Sequence, residues 1–146
     1  EVSDMKNFHK QDMLFDAIVF PDVLEHIPAE DHFALFETIK KHSHSGTFIF
    51  IHIPSPRFLE WMIANEPEKL QVIDQPLETG ELVGKLSSND FYVEKMDTYA
   101  LFYKEKDYQY FVFKKKQAIK KTTHRDKYSI LKERLWIKIK QKLSAF

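Results

Sequence analysis

Short runs of continuous apolar residues alternate along this chain with stretches in which apolar positions recur every three or four residues. Phe15, Ala17, Ile18, Val19 and Phe20 form the first run. Its length and its β-branched and aromatic content predict a strand buried on both faces, the pattern of a parallel sheet. Pro21 cannot donate to a continuing ladder, so the strand is expected to stop there. Residues 29–42 place Phe33, Phe36 and Ile39, with Leu35 beside them, on one face of a helix of about three turns. Asp31 or Glu30 suits its amino end, and Lys40, Lys41 and His42 suit the carboxyl end of its dipole. A turn at 43–46 then leads into a second buried strand at 47–53. Strand, helix and strand predict a right-handed parallel βαβ unit.

Pro54 and Pro56 close that unit. A short helix is predicted at 57–65, with Phe58, Trp61 and Met62 as its apolar face, and Pro67 ends it. A loop over 67–77 precedes another short helix from 79 to 86 or 87, and Ser88, Asn89 and Asp90 signal a turn. Residues 91–100 and 108–113 read as an antiparallel pair of strands. The second alternates Tyr108, Tyr110 and Val112 against Gln109, Phe111 and Phe113. From Lys114 the pattern turns polar and basic. A connector at 114–127 precedes an amphipathic helix over 128–144, whose stripe is Tyr128, Leu131, Leu135, Ile139, Leu143 and Phe146, with Trp136 flanking it.

Composition changes this picture in two places. The chain of 146 residues has no cysteine, which excludes a disulfide framework and a thiolate metal site and suits a reducing, cytoplasmic compartment. No apolar run approaches the ~20 residues that span a bilayer, and no signal peptide is visible. Net charge is zero, yet residues 114–146 hold twelve Lys and Arg against two Asp and Glu, leaving ten against twenty in residues 1–113. A basic tail thus follows an acidic body. It could lie on an anionic membrane surface with its lysines snorkelling, or pack on a partner or on its own body. Nucleic acid is not expected, because the connector lacks aromatic interleaving.

Candidate chemistry gathers just after the first strand, where Asp22, Glu25 and His26 fall within five residues. In open α/β sheets ligands bind beyond the carboxyl ends of the strands. His26, with an ordinary pKa near ~6.5, could serve as general base beside Glu25. The D-x-x-E-H spacing could also hold a divalent cation, or these residues could cap the next helix or line the cleft without reacting. His52, near the end of the second strand, reads either as a hydrogen-bonded core histidine or as a group facing an acceptor pocket.

Three segments in order carry a family resemblance. Residues 15–28, F-D-A-I-V-F-P-D-V-L-E-H-I-P, resemble the fourth strand and following loop of class I S-adenosylmethionine-dependent methyltransferases, in the branch with L-E-H after that strand. Residues 2–5, V-S-D-M, resemble the end of the third strand, and residues 45–54, S-G-T-F-I-F-I-H-I-P, the glycine turn and fifth strand. The resemblance covers roughly residues 1–113. It implies a three-layer α/β, Rossmann-like fold closed by an antiparallel hairpin, followed by the connector 114–127 and the basic helix 128–146. It implies methyl transfer from S-adenosylmethionine to a small-molecule, glycan or lipid-linked acceptor. Asp4 would accept from the adenine amino group, Met5 would offer its amide to a ring nitrogen, and Phe20, Pro21 and Asp22 would border the methionine part.

One departure qualifies what the resemblance implies. The family's glycine-rich loop is absent: the glycines are Gly46, Gly80 and Gly84, and none lies in a G-x-G pattern. The acid that holds the ribose would lie upstream of Glu1. The expectation is therefore the C-terminal part of a longer methyltransferase, with half a cofactor site and cofactor binding only when the upstream part is present. Strand 15–20 would then lack a neighbour and pair with a second copy, as a dimer or by swapping. The rival expectation is a degenerate methyltransferase-like module that binds a partner or a membrane without catalysis.

Overall fold

Residues 43–54 form the longest strand, and the rest of the sheet is built on its two edges. The computed structural model describes residues 5–143. Its strands are β1 (Phe15–Pro21), β2 (Ser43–Pro54), β3 (Phe91–Tyr99) and β4 (Tyr108–Lys115). Its α-helices are α1 (His32–Lys41), α2 (Pro56–Asn65), α3 (Thr79–Ser88) and α4 (Lys127–Leu143). The sheet order is β1-β2-β4-β3. β1 runs parallel to β2, whereas β4 is antiparallel to both β2 and β3. The parallel βαβ unit and the closing antiparallel pair therefore stand as the apolar pattern predicts.

Period-two alternation decides the core. Ile49, Ile51 and Ile53 of β2 register with Phe113, Phe111 and Gln109 of β4, and all six are buried. Leu35, Phe36 and Ile39 of α1 and Leu82 and Leu86 of α3 close over that face. Phe48, Phe50, His52 and Tyr110 point to the other face and are exposed or half-buried.

Four local expectations change. β1 is not buried on both faces: Ala17 is exposed and Val19 is 54% exposed. Among the described residues it is the outermost strand, and only its face with Ile18 and Phe20, against α1, is covered. On α1, Phe33 is 67% exposed, and the buried set is His32, Leu35, Phe36 and Ile39. That i, i+3, i+4, i+7 spacing is the one that faces a sheet. His32 Nε2 lies 2.9 Å from the Ile27 carbonyl and 3.3 Å from that of Leu24, so it carries the proton and donates. On α2, Leu59 rather than Trp61 is buried. The predicted turn at 43–46 belongs to β2, where Ser43 registers with Phe15 before a bulge.

β4 runs on to Lys115 and helix α4 begins at Lys127, so residues 116–126 join them. Tyr128, Leu131, Leu135, Trp136 and Ile139 are all exposed on α4, and Lys140 Nζ lies 4.0 Å from the Trp136 ring centroid. The side chains of Leu143 and Phe146 lie outside those described. None of the described helices is long and apolar enough to cross a membrane.

Candidate functional site at the carboxyl ends of β1 and β2

The ladder between β1 and β2 runs one step past Pro21, since the Asp22 N–H donates to the His52 carbonyl at 2.9 Å. Asp22 then adopts a φ of 51°, in the left-handed region that Asp and Asn tolerate better than most residues. The chain turns sharply there, and the carboxylate swings across to β2. Asp22 Oδ2 sits 3.2 Å from His52 Nδ1, and His52 Nε2 sits 2.5 Å from the Tyr99 hydroxyl. A carboxylate only accepts, so Nδ1 carries the imidazole proton and Nε2 accepts from Tyr99. The His52 ring also stacks on Tyr108, with centroids 4.7 Å apart and planes 16° from parallel. Burial pushes the Tyr108 phenol well above its ordinary range, and the Asp22 and Glu25 carboxylates add to the shift. Tyr99 is raised by burial and then by Asp22.

Asp22 is therefore the hub of four elements, and His52 lies on the sheet face opposite the core, hydrogen-bonded on both ring nitrogens. Alternation along β2 is the signal: with Ile51 and Ile53 inside, His52 must point the other way. Nothing in the local sequence signalled Tyr99 and Tyr108 as its partners, which lie on β3 and β4.

Glu25 and His26 behave differently from each other. They occupy a single 3-10 turn, Leu24–His26, which aims consecutive side chains in different directions. Glu25 is only 2% exposed, and its Oε2 has no hydrogen-bond partner among the described residues. Burial pushes its carboxyl up to about 7; its own backbone N–H and His26 oppose this, while Asp22 and Asp74 add to it. His26 Nε2 is 3.8 Å from Glu25 Oε1, beyond hydrogen-bonding reach. Its Nδ1 lies 2.6 Å from the Ile73 carbonyl and 3.1 Å from Asp74 Oδ1. His26 thus ties the 70–78 loop to the turn. Gln75 completes the tie, donating from its backbone to Glu25 O at 3.1 Å and from Nε2 to Ile27 O at 2.8 Å.

The expected cofactor residues divide in the same way. Met5 lines a cavity of about 180 Å³ between β1 and α1 together with Phe20, Ile18 and Leu35. It also lines a second of about 360 Å³ with His26, Ile27 and Pro28. Met5 and Leu35 line both cavities, Phe20 only the first and His26 only the second. Pro21 is exposed and lines neither cavity, and Asp22 turns away toward His52. Asp4 lies outside the described residues. Gly46 belongs to β2 and Gly80 and Gly84 to α3, so no described glycine forms a cradle for the methionine tail of a cofactor. Asp22, Glu25 and His26 do not converge on a cation position, and no group of three His, Asp or Glu among the described residues does so.

A parallel βαβ unit, a reversed strand beside it and a polar cluster at the carboxyl ends define one class of fold. Over about 78% of its length the chain has the fold of the class I S-adenosylmethionine-dependent methyltransferases. A methyltransferase of this kind from Methanosarcina mazei matches with a TM-score of 0.65 at 14% identity, over 79% of this chain and 66% of its own. One from Clostridium acetobutylicum ATCC 824 matches with 0.63 at 12% identity, over 78% and 63%. The glycopeptide N-methyltransferase MtfA, solved with S-adenosylmethionine, matches with 0.59 at 15% identity, over 79% and 59%. The chain thus spans about three-fifths of the length of these structures. No family model and no curated protein sequence matches it.

Proposed function

We propose that this chain supplies the acceptor side of a methyltransferase site and takes part in methyl transfer from S-adenosylmethionine to a small-molecule, glycan or lipid-linked acceptor. The observation that carries this reading is the Asp22–His52–Tyr99 chain, set at the carboxyl ends of two parallel strands in this fold. The bound cofactor supplies an electrophilic methyl group. Met5 and Phe20, which line one cavity, would hold its purine end. Asp22 orients His52 and stabilises the imidazolium, so an acceptor hydroxyl that takes the place of the Tyr99 hydroxyl passes its proton to Nε2. His26 is a second candidate base, and the buried Glu25 carboxyl in the same turn a candidate acid, each acting separately. His26 Nε2 makes no hydrogen bond among the described residues, while Nδ1 holds the loop in place.

The placement of the three glycines favours one rival, a methyltransferase-like binding module without cofactor. Titration calorimetry with S-adenosylhomocysteine on the full-length protein separates the two. Saturable binding is expected, and no saturable heat at millimolar ligand would favour the module.

We also propose that the free edge of β1 pairs with a second copy. Among the described residues it carries one ladder only and exposes Val19, and an apolar edge of that kind recruits another strand. Sedimentation velocity is expected to show a dimer that Val19→Lys converts to monomer. A wild-type monomer would remove this reading.

A further inference from the structure

A third pocket opens between the start of α2 and the connection from β3 to β4, close to the carboxyl end of β2. Its volume is about 590 Å³, within the range of small-molecule sites. Ser55 lines it and directly follows Pro54, the residue in register with Tyr108, and the Ser55 N–H donates to the Asp107 carbonyl at 2.7 Å. Tyr103, which lines the pocket, follows Phe102, whose ring meets Tyr108 edge-on at 5.8 Å.

Its lining combines rings and cations. Phe58 and Trp61 stack at 5.7 Å, and Phe58 packs on Tyr103 at 4.6 Å. The Tyr103 hydroxyl donates to Glu66 Oε2 at 3.2 Å, while Lys69 holds the same carboxylate at 2.8 Å, which fixes the ring in place. Trp61 remains 45% exposed, an unusual cost for so large an apolar side chain on a helix. Arg57 and Lys106 also line the pocket, and neither makes an ion pair among the described residues. Glu105 is the one acid beside them, so the lining is net positive. Arg57 stands in the first turn of α2, where the helix dipole further favours an anion.

We propose that this pocket is the acceptor subsite, and that it takes a six-membered ring bearing a carboxylate or phosphate. The ring lies on Trp61 and Phe58, and Arg57 with Lys106 holds the anionic group. The word acceptor rests on the methyltransferase reading above, but the binding site does not. A flat aromatic acid and a sugar acid share this chemistry, because indole packs equally against a π-face and against the C–H face of a pyranose.

The test uses the 146-residue chain with Trp136→Phe, in which Trp61 is then the single tryptophan and its fluorescence the signal. 4-Hydroxybenzoate and glucuronate are titrated, with phenol and methyl glucoside as their uncharged counterparts. Saturable change with either acid is expected, weaker by about tenfold for the uncharged counterpart and for Arg57→Gln. The acid that binds identifies the ring. No saturation with either acid at millimolar concentration overturns the proposal, as does equal binding of the neutral ligands or of Arg57→Gln. Failure here beside intact S-adenosylhomocysteine binding removes only this subsite. Acid binding without S-adenosylhomocysteine binding keeps the pocket and removes methyl transfer.

Discussion

Asp107→Ala is expected to destabilise the protein by about 2–4 kcal/mol. The side chain is fully buried, and its carboxylate accepts from the Leu101 N–H at 2.7 Å and the Phe102 N–H at 2.9 Å. Burial alone would raise its pKa; the bonds from Leu101 and Phe102 prevail and hold it below the ordinary value of 3.8. Alanine would strand both amides and release the 100–107 connection from the end of β2. Phe102 and Tyr103 would lose their seats with it, so the aromatic pocket should loosen along with the fold. Asp107→Asn keeps one acceptor oxygen and should restore part of the loss. The pH dependence follows from the depressed pKa: this stabilisation is complete above 3.8 and is lost as pH falls through the lower folded value. Urea denaturation measures both effects, and an alanine variant within about 0.5 kcal/mol of wild type would show that the carboxylate does not hold the connection.

Glu25→Gln is expected to act with the opposite sign and to flatten the stability profile between pH 4.5 and about 7. The folded carboxyl titrates at about 7, above its ordinary 4.5. Below 4.5 it is protonated in both states and costs nothing. Between the two values the unfolded chain gives up its proton while the folded chain keeps it, so stability falls by about 1.4 kcal/mol per pH unit. Above 7 the penalty levels off at about 3 kcal/mol, which glutamine does not incur. His26, Asp22 and Asp74 surround the carboxyl, and Tyr108 responds to it from β4. His32 works the other way: burial lowers its pKa beneath 6.5, so its contribution weakens as pH falls through 6.5. Subtracting the variant's denaturation curve from that of wild type at each pH removes His32. Parallel profiles would mean that Glu25 is not the buried acid described above. That a site loop keeps a costly, half-protonated carboxyl is itself a functional signal.

The elements themselves were legible because their signals are local. The run from Phe15 to Phe20, the alternation of Gln109, Phe111 and Phe113 and the punctuation by Pro54, Pro56 and Pro67 each specify a strand or a break within a few residues. Errors arose where two local readings compete. Phe33 and Phe36 fit one helical face as well as His32 and Phe36 do, and hydrophobicity alone favours Phe33. Burial of a histidine depends on the carbonyls of Ile27 and Leu24, which the helix pattern does not contain. Trp61 and Leu59 present the same ambiguity on α2.

The site was legible only by half. Asp22, Glu25 and His26 stand together in the chain, yet a 3-10 turn and a left-handed residue send them to three surroundings: β2, the interior and the 73–75 loop. The group they were expected to form is replaced by Asp22 with His52, thirty residues on, and with Tyr99, forty-seven residues beyond His52. Spacing within one segment decides which side chains are apolar and which face they share, and to that extent the chain alone determined a parallel βαβ unit and an antiparallel close. Only the order β1-β2-β4-β3 makes neighbours of the strand ends that carry Asp22, His52, Tyr99 and Tyr108. That order is set by which hydrophobic faces bury one another across long loops, and such pairing leaves no periodic trace in the residues it joins.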